Sequence, residues 1–125
     1  MNSENFDGKE MRRRAEDGDG EAQYEIGWRS AIGMGLAEDE VEAVNWLRRA
    51  AGSGHMLAQN NLGARYLSGE GVERDPVEAW RWFNAAAEQG DRKAAKNRDS
   101  VGKELSSEQL EAARSVALGE TRDDQ

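Results

Sequence analysis

Displaced against itself by 36 positions, this sequence matches itself, and that relation constrains its fold more than any other feature. Ala22 falls on Ala58, Gln23 on Gln59, Gly27 on Gly63, Arg29 on Arg65, Gly33 on Gly69 and Gly35 on Gly71. The register continues through Asp39 and Asp75, Val41 and Val77, Glu42 and Glu78, Ala43 and Ala79, and Trp46 and Trp82. It ends with Ala50 and Ala86, Ala51 and Ala87, and Gly54 and Gly90. Fourteen of the 33 positions paired between 22–54 and 58–90 are identical, and no gap is needed. A fixed period of this length is the mark of a stacked array, in which each unit covers the apolar side of its neighbour. Fainter echoes run past both ends: Ala15 and Gly18 precede Ala87 and Gly90 by two periods, and Ala94 follows Ala58 by one.

Inside the unit the apolar spacing is helical. Ala43, Val44, Trp46, Leu47, Ala50 and Ala51 share one arc at 100° per residue, with Glu42, Asn45, Arg48 and Arg49 opposite. This predicts an amphipathic helix between Asp39 and Gly54 and its copy between Asp75 and Gly90. In the copy Asp75 is the N-cap, Pro76 the first helical residue, and Gly90 the left-handed stop. The first half of each unit repeats at i, i+4, i+8, through Ala22, Ile26 and Ser30 and then Ala58, Leu62 and Tyr66, which predicts a shorter helix. Gly27 and Gly63 interrupt these helices at a propensity cost of roughly 1 kcal/mol each. Close approach of a partner helix, where a Cβ would clash, is the expected compensation. After Gly90 the register decays, with Arg98 and Asp99 where Leu62 and Gly63 stood. Ser106 and Gln109 then form a capping box ahead of a helix edged by Leu110, Ala113 and Ala117.

Composition narrows the function classes. The chain of 125 residues carries a net charge of −8, 37% hydrophobic and 34% charged residues, and four Trp, two Phe and two Tyr that are enough for a modest core. It contains no cysteine, which excludes a disulfide scaffold, a thiolate zinc site and a cysteine nucleophile. No run of 18 apolar residues occurs, and Met1 to Phe6 are polar and acidic, so a soluble, cytoplasmic protein is expected. The negative excess disfavours nucleic acid and anionic membrane as partners and favours neutral or basic ones.

The repeat resembles the Sel1-like repeat family, the bacterial relative of tetratricopeptide arrays. The resemblance rests on Ala58, Leu62, Gly63, Tyr66, Gly69, Gly71, Val72, Asp75, Ala79, Trp82, Phe83, Ala86, Ala87 and Gly90 in order and spacing. Ala22 to Gly54 repeats it with Ser30 in place of the tyrosine, and Asn97 to Ala113 is similar to the way many such chains end. The resemblance implies an all-α fold, a right-handed α-solenoid of antiparallel helix pairs with a C-terminal capping helix, acting as a scaffold or adaptor. On this reading the chain divides into an N-terminal half-repeat helix (1–18), repeats at 19–54 and 55–90, a partial repeat with the capping helix (91–119) and a flexible tail (120–125). The family has no shared active site, so no catalytic residue, cofactor or metal ligand is implied.

Candidate sites follow from the helical wheel. Opposite the core face of the first helices lie Tyr24, Trp28 and Ala31, then Asn60, Ala64 and Leu67, then Lys96, Ser100 and Lys103. In tetratricopeptide-like stacks this stripe lines the concave surface. Tyr24, Trp28, Asn60, Asn61, Ala64 and Arg65 are therefore the expected partner-binding residues, the aromatics as anchors and the amides as hydrogen-bonding groups for an extended peptide. Two arrangements fit the sequence: Trp28 stands open, or the N-terminal half-repeat around Phe6, Met11 and Ala15 folds over it.

Other residues carry weaker signals. Trp46, Trp80 and Trp82 lie on the apolar arc and are read as core. His55 begins a helix without a second His, Cys or carboxylate at ligand spacing, which points to a solvated or capping role. Gly69-Glu70-Gly71 lacks the third glycine and the Lys-Ser/Thr of a phosphate loop and is read as a turn. Glu38, Asp39, Glu40 and Glu42 form an acidic edge, either merely solvated or steering a basic partner in a salt-sensitive way. Arg12-Arg13-Arg14 is too short and too close to acids to signal nucleic acid. The expected partner is another protein or peptide, basic on charge grounds, bound by a monomer or weak homo-oligomer. The alternatives are a hydrolase acting on cell-wall or β-lactam substrates, for which no nucleophile and base constellation is visible, and a self-associating structural element.

Overall fold

The computed structural model describes residues 6–115. Among them the regular structure is entirely helical: α1 (Gly8–Glu16), α2 (Gly20–Ile32), α3 (Glu40–Gly52), α4 (Met56–Ser68), α5 (Pro76–Glu88), α6 (Arg92–Gly102) and α7 (Ser107–Ser115). Each helix from α1 to α5 packs on the next, and α7 returns to α5. The result is the expected all-α solenoid, with α2 paired to α3 and α4 to α5, while α6 and the shorter α7 both pack on α5. Ala117 and the expected tail from residue 120 lie outside the described residues.

The caps sit where the sequence places them. Asp39 Oδ1 accepts from Glu42 N at 3.0 Å, and Asp75 Oδ1 accepts from Val77 N and Glu78 N at 3.1 Å, with Pro76 opening α5. Gly90 has φ +106°, the left-handed stop. The capping box is complete: Gln109 N donates to Ser106 Oγ at 3.0 Å, and Ser106 N to Gln109 Oε1 at 2.9 Å.

The 36-residue register reappears as repeated packing. Trp46 shares a cluster with Ala15, Ala22 and Ile26, flanked by Met11 and Leu36. Trp82 shares one with Ala51, Ala58 and Leu62, with Leu47 and Val72. Every member of the second set lies one period after its counterpart in the first. Each tryptophan is therefore closed in by its own unit and by the last helix of the preceding one, α1 for Trp46 and α3 for Trp82. Both indoles are almost fully buried, at 7% and 3% exposure, and truncating either to alanine should cost about 3–5 kcal/mol. Polar contacts repeat as well: Gln23 Nε2 donates to Ala15 O at 2.9 Å and Gln59 Nε2 to Ala51 O at 3.1 Å. So does the turn between helices, where Asp39 N reaches Ser30 O and Asp75 N reaches Tyr66 O, both at 2.8 Å.

The two helical glycines mark the closest approach within each pair. A Cβ on Gly27 would stand 2.9 Å from Leu47 Cγ and Cδ2, and one on Gly63 would stand 2.7 Å from Phe83 Cδ1 and Cε1. Leu47 and Phe83 occupy the same register position, so each pair is locked by one large side chain seated on one bare backbone. Helix propensity alone predicts that Gly63→Ala stabilises α4 by about 1 kcal/mol. The clash with a fully buried ring overrides it, and we expect a net loss of about 1–3 kcal/mol in urea unfolding. A stabilised variant would show that the ring moves aside freely.

Candidate partner-binding surface

The stripe residues of α2 and α4 are held by contacts between units. Tyr24 is half-buried; its ring stacks on His55, with centroids 4.7 Å apart and planes at 23°, and its hydroxyl accepts from Asn61 Nδ2 at 3.4 Å. One period later Asn97 Nδ2 donates to Asn60 Oδ1 at 3.3 Å, so neighbouring first helices are tied by a polar side-chain bridge in each case. Tyr24, Asn60 and Asn61 therefore serve the joints between units while their outer edges remain accessible.

His55 is the N-cap of α4. Its Nδ1 accepts from Ala58 N at 3.2 Å, and its Nε2 lies 3.3 Å from Glu21 Oε2. It stands in register with Asp19 and Asp91, which cap α2 and α6 through Ala22 N and Ala94 N. The hydrogen bonds from Arg14 and from Ala22 N hold the Asp19 carboxyl below its usual range. Of the two expected roles for His55, capping is the one present. Solvation is not, since the side chain is only 12% exposed beneath Tyr24. The register of 19, 55 and 91 was the signal that could have found this cap in the sequence.

Trp28 lies between the two anticipated arrangements. Met11 and Ala15 pack at Ile26 and Trp46 rather than over it. Phe6 instead lies on the Arg29 guanidinium, 3.9 Å from its ring centroid, and that guanidinium is 5.0 Å from the Trp28 ring. The indole is left half-buried. Ala31 is buried, Leu67 packs into the Phe83 cluster, and Ala64 is exposed. Arg65 points toward α3, pairing with Glu40 at 2.9 Å, although its register partner Arg29 pairs with Glu25 at 2.9 Å. The difference has a local cause. Asn61 stands where Glu25 stands, so Arg65 has no carboxylate one turn back and reaches across to α3.

The acidic edge is largely committed to structure. Asp39 caps α3, Glu40 holds Arg65, and Glu42 pairs with Arg12 at 2.9 Å and accepts from Trp46 Nε1 at 3.4 Å. Glu38 alone of the four makes no such contact among the described residues. The Gly69 to Gly71 segment is a turn: Gly71 has φ +77°, and a Cβ there would overlap the Glu40 carbonyl. Trp46, Trp80 and Trp82 are all buried. No group of three or more His, Cys, Asp or Glu among the described residues is placed to hold a metal ion, and no described helix is long and apolar enough to cross a membrane.

The family profile described as Sel1 repeat matches residues 20–55 and 57–91. No curated protein matches the chain. Among solved structures, a protective antigen of uropathogenic Escherichia coli displaying an SLR fold superposes with a TM-score of 0.81 at 37% identity, over 85% of this chain and 23% of that one. A Sel1 repeat protein from Oxalobacter formigenes superposes with a TM-score of 0.70 at 41% identity, over 72% of this chain and 68% of that one. This chain thus spans about a quarter of the first relative's length.

The His55 joint yields a test. His55→Ala removes a cap and a stacked ring and should cost about 1–2 kcal/mol. Tyr24→Ala should then cost less in that background than alone, with a coupling of about 0.5–1 kcal/mol by thermal and urea unfolding. Strict additivity would mean that the stack holds nothing together.

Proposed function

The chain belongs to the Sel1 repeat family, and from that premise we propose that it is a protein-interaction module, an adaptor or scaffold that takes a partner protein or peptide on its α2–α4 stripe. Sel1 repeat proteins are generally protein-interaction modules and typically non-enzymatic. Supporting the reading most directly is Trp28, a half-buried indole one turn from the half-buried Tyr24, both on the face of α2 opposite Ile26. Such partly covered, rigid aromatics give a partner a large contact at little entropic cost. Asn60 and Asn61 offer amides beside them, and the exposed Ala64 leaves room for a backbone to pass. On this reading Arg65 sets the floor of the site through Glu40 rather than touching the partner. Glu21 and Glu25 flank the aromatics, which suits a neutral or basic segment. The working state we propose is a monomer or weak homo-oligomer.

Tyr24 also joins two units, so it is a poor probe of binding alone. Ala64→Glu and Trp28→Ser are better ones. A charge at exposed Ala64 should leave the unfolding free energy within about 0.5 kcal/mol of the parent. Affinity capture from the native cell with quantitative mass spectrometry should then show a partner retained by the parent and lost from both variants. A partner retained equally by all three would place the binding surface elsewhere.

A further inference from the structure

The third unit departs from the repeat in a way that opens a cavity. In the first two units, seven residues, Gly33 to Asp39 and Gly69 to Asp75, separate the paired helices. The link glycines close the space in front of them: a Cβ on Gly35 would stand 2.8 Å from the ring of Phe6, just ahead of α1, and one on Gly71 2.8 Å from Val44 Cγ2 on the side of α3. Between α6 and α7 only four residues remain, Lys103 to Ser106, and Ser107, the register equivalent of Gly71, already lies in α7. That closure is missing, and a groove of about 790 Å³ lies between α5, α6 and α7.

The residues around this groove have changed character together. Arg98 stands where buried Leu62 stands, Lys103 where Leu67 stands, Arg81 where Asn45 stands, and Trp80 where Val44 stands. Four cations, Arg81, Arg98, Lys103 and Arg114, line the groove together with Trp80 and Leu110, against the carboxylates of Glu88 and Asp99. Two of the cations are engaged: Arg81 pairs with Glu78, and Arg98 pairs with Asp99 and donates to Asn84 Oδ1, both at 3.0 Å. Lys103 and Arg114 are exposed and make no ion pair among the described residues, and the Arg114 guanidinium lies 5.8 Å from the Trp80 ring centroid. A positive, aromatic-walled groove on a chain of net charge −8 runs against the charge of the whole molecule. A groove of this volume is the size of a small-ligand or peptide-anchor site.

We infer that this groove is a second binding site, specific for an acidic peptide segment of a partner protein. A carboxylate of the segment lies between Lys103 and Arg114, and a neighbouring apolar side chain rests on the half-buried Leu110 and Ala85, next to the almost fully buried Trp80. The site shares no residue with the α2–α4 stripe and stands or falls separately from it. It gives the molecule two ends of opposite preference, a neutral or basic segment beside Glu21 and Glu25 and an acidic one beside α7.

The test is a titration of the full chain with two short capped peptides, one alternating leucine and aspartate, the other leucine and lysine. The readouts are the Trp80 indole N–H in heteronuclear NMR and fluorescence anisotropy. The aspartate peptide should bind saturably and move the Trp80 signal, weaken as salt rises, and leave the lysine peptide far behind. Lys103→Glu with Arg114→Glu, both at exposed positions, should weaken the aspartate peptide by about tenfold or more and strengthen the lysine peptide. Lys103→Gln with Arg114→Gln should give the loss without the gain. Ala64→Glu should bind like the parent, which separates this site from the stripe. Absence of binding, binding that leaves Trp80 unmoved, or equal affinity after charge reversal would overturn the assignment.

Discussion

No unit of this protein can bury its own tryptophan. Trp46 is closed on one side by Ala22 and Ile26 of its own unit and on the other by Ala15 of α1, and Trp82 needs Ala51 of α3 in the same way. Burial of the largest side chains therefore requires a neighbour, and the neighbour must arrive in register. The small residues Ala15, Ala22, Ala51 and Ala58, all fully or almost fully buried, let the helices come close enough for an indole to fill the remaining space. The seating of Leu47 on Gly27 and of Phe83 on Gly63 does the same within each pair. Stability in such an array is a sum of unit and interface terms, with no central core to fall back on.

Much of this was legible because a repeat states its geometry twice. The glycines at 27 and 63 stand in helices that would be better without them, which signals close approach before any coordinates are known. The caps at Asp39 and Asp75, the stop at Gly90 and the Ser106–Gln109 box all follow from local chemistry, and such chemistry acts the same way in every context. The site was less legible. Whether Tyr24 faces solvent depends on His55, 31 positions away, and on the angle between α2 and α4, which a helical wheel does not contain. Arg65 looked like its counterpart Arg29. A single change one turn earlier, Glu25 to Asn61, sends it to another helix.

The same logic explains why the α5–α7 groove escaped the sequence reading. A decaying register looks like the end of a pattern: Arg98 read as loss of core, and Lys103 as one more position of the outer stripe. In the structure they are the lining of a cavity made by a link three residues shorter than its predecessors. Departures from a repeat gain meaning only once the units are superposed, because the register identifies which residue each cation replaces. The molecule then has a regular middle, fixed by packing, and two ends that differ in charge and in what they leave open.

The fold depends on the equivalence of the 36-residue units, and the most direct measurement is to lengthen the array by one period. A second copy of residues 55–90 inserted after Gly90 should fold as a continuation of the stack. It should unfold in a single cooperative transition with a higher midpoint and a steeper urea dependence than the parent. An insert of the same composition cut six residues short should break the register and destabilise the chain. If the full-period insert instead lowers the midpoint, or melts separately from the rest, the units are not interchangeable and the packing of Trp46 and Trp82 has some other origin.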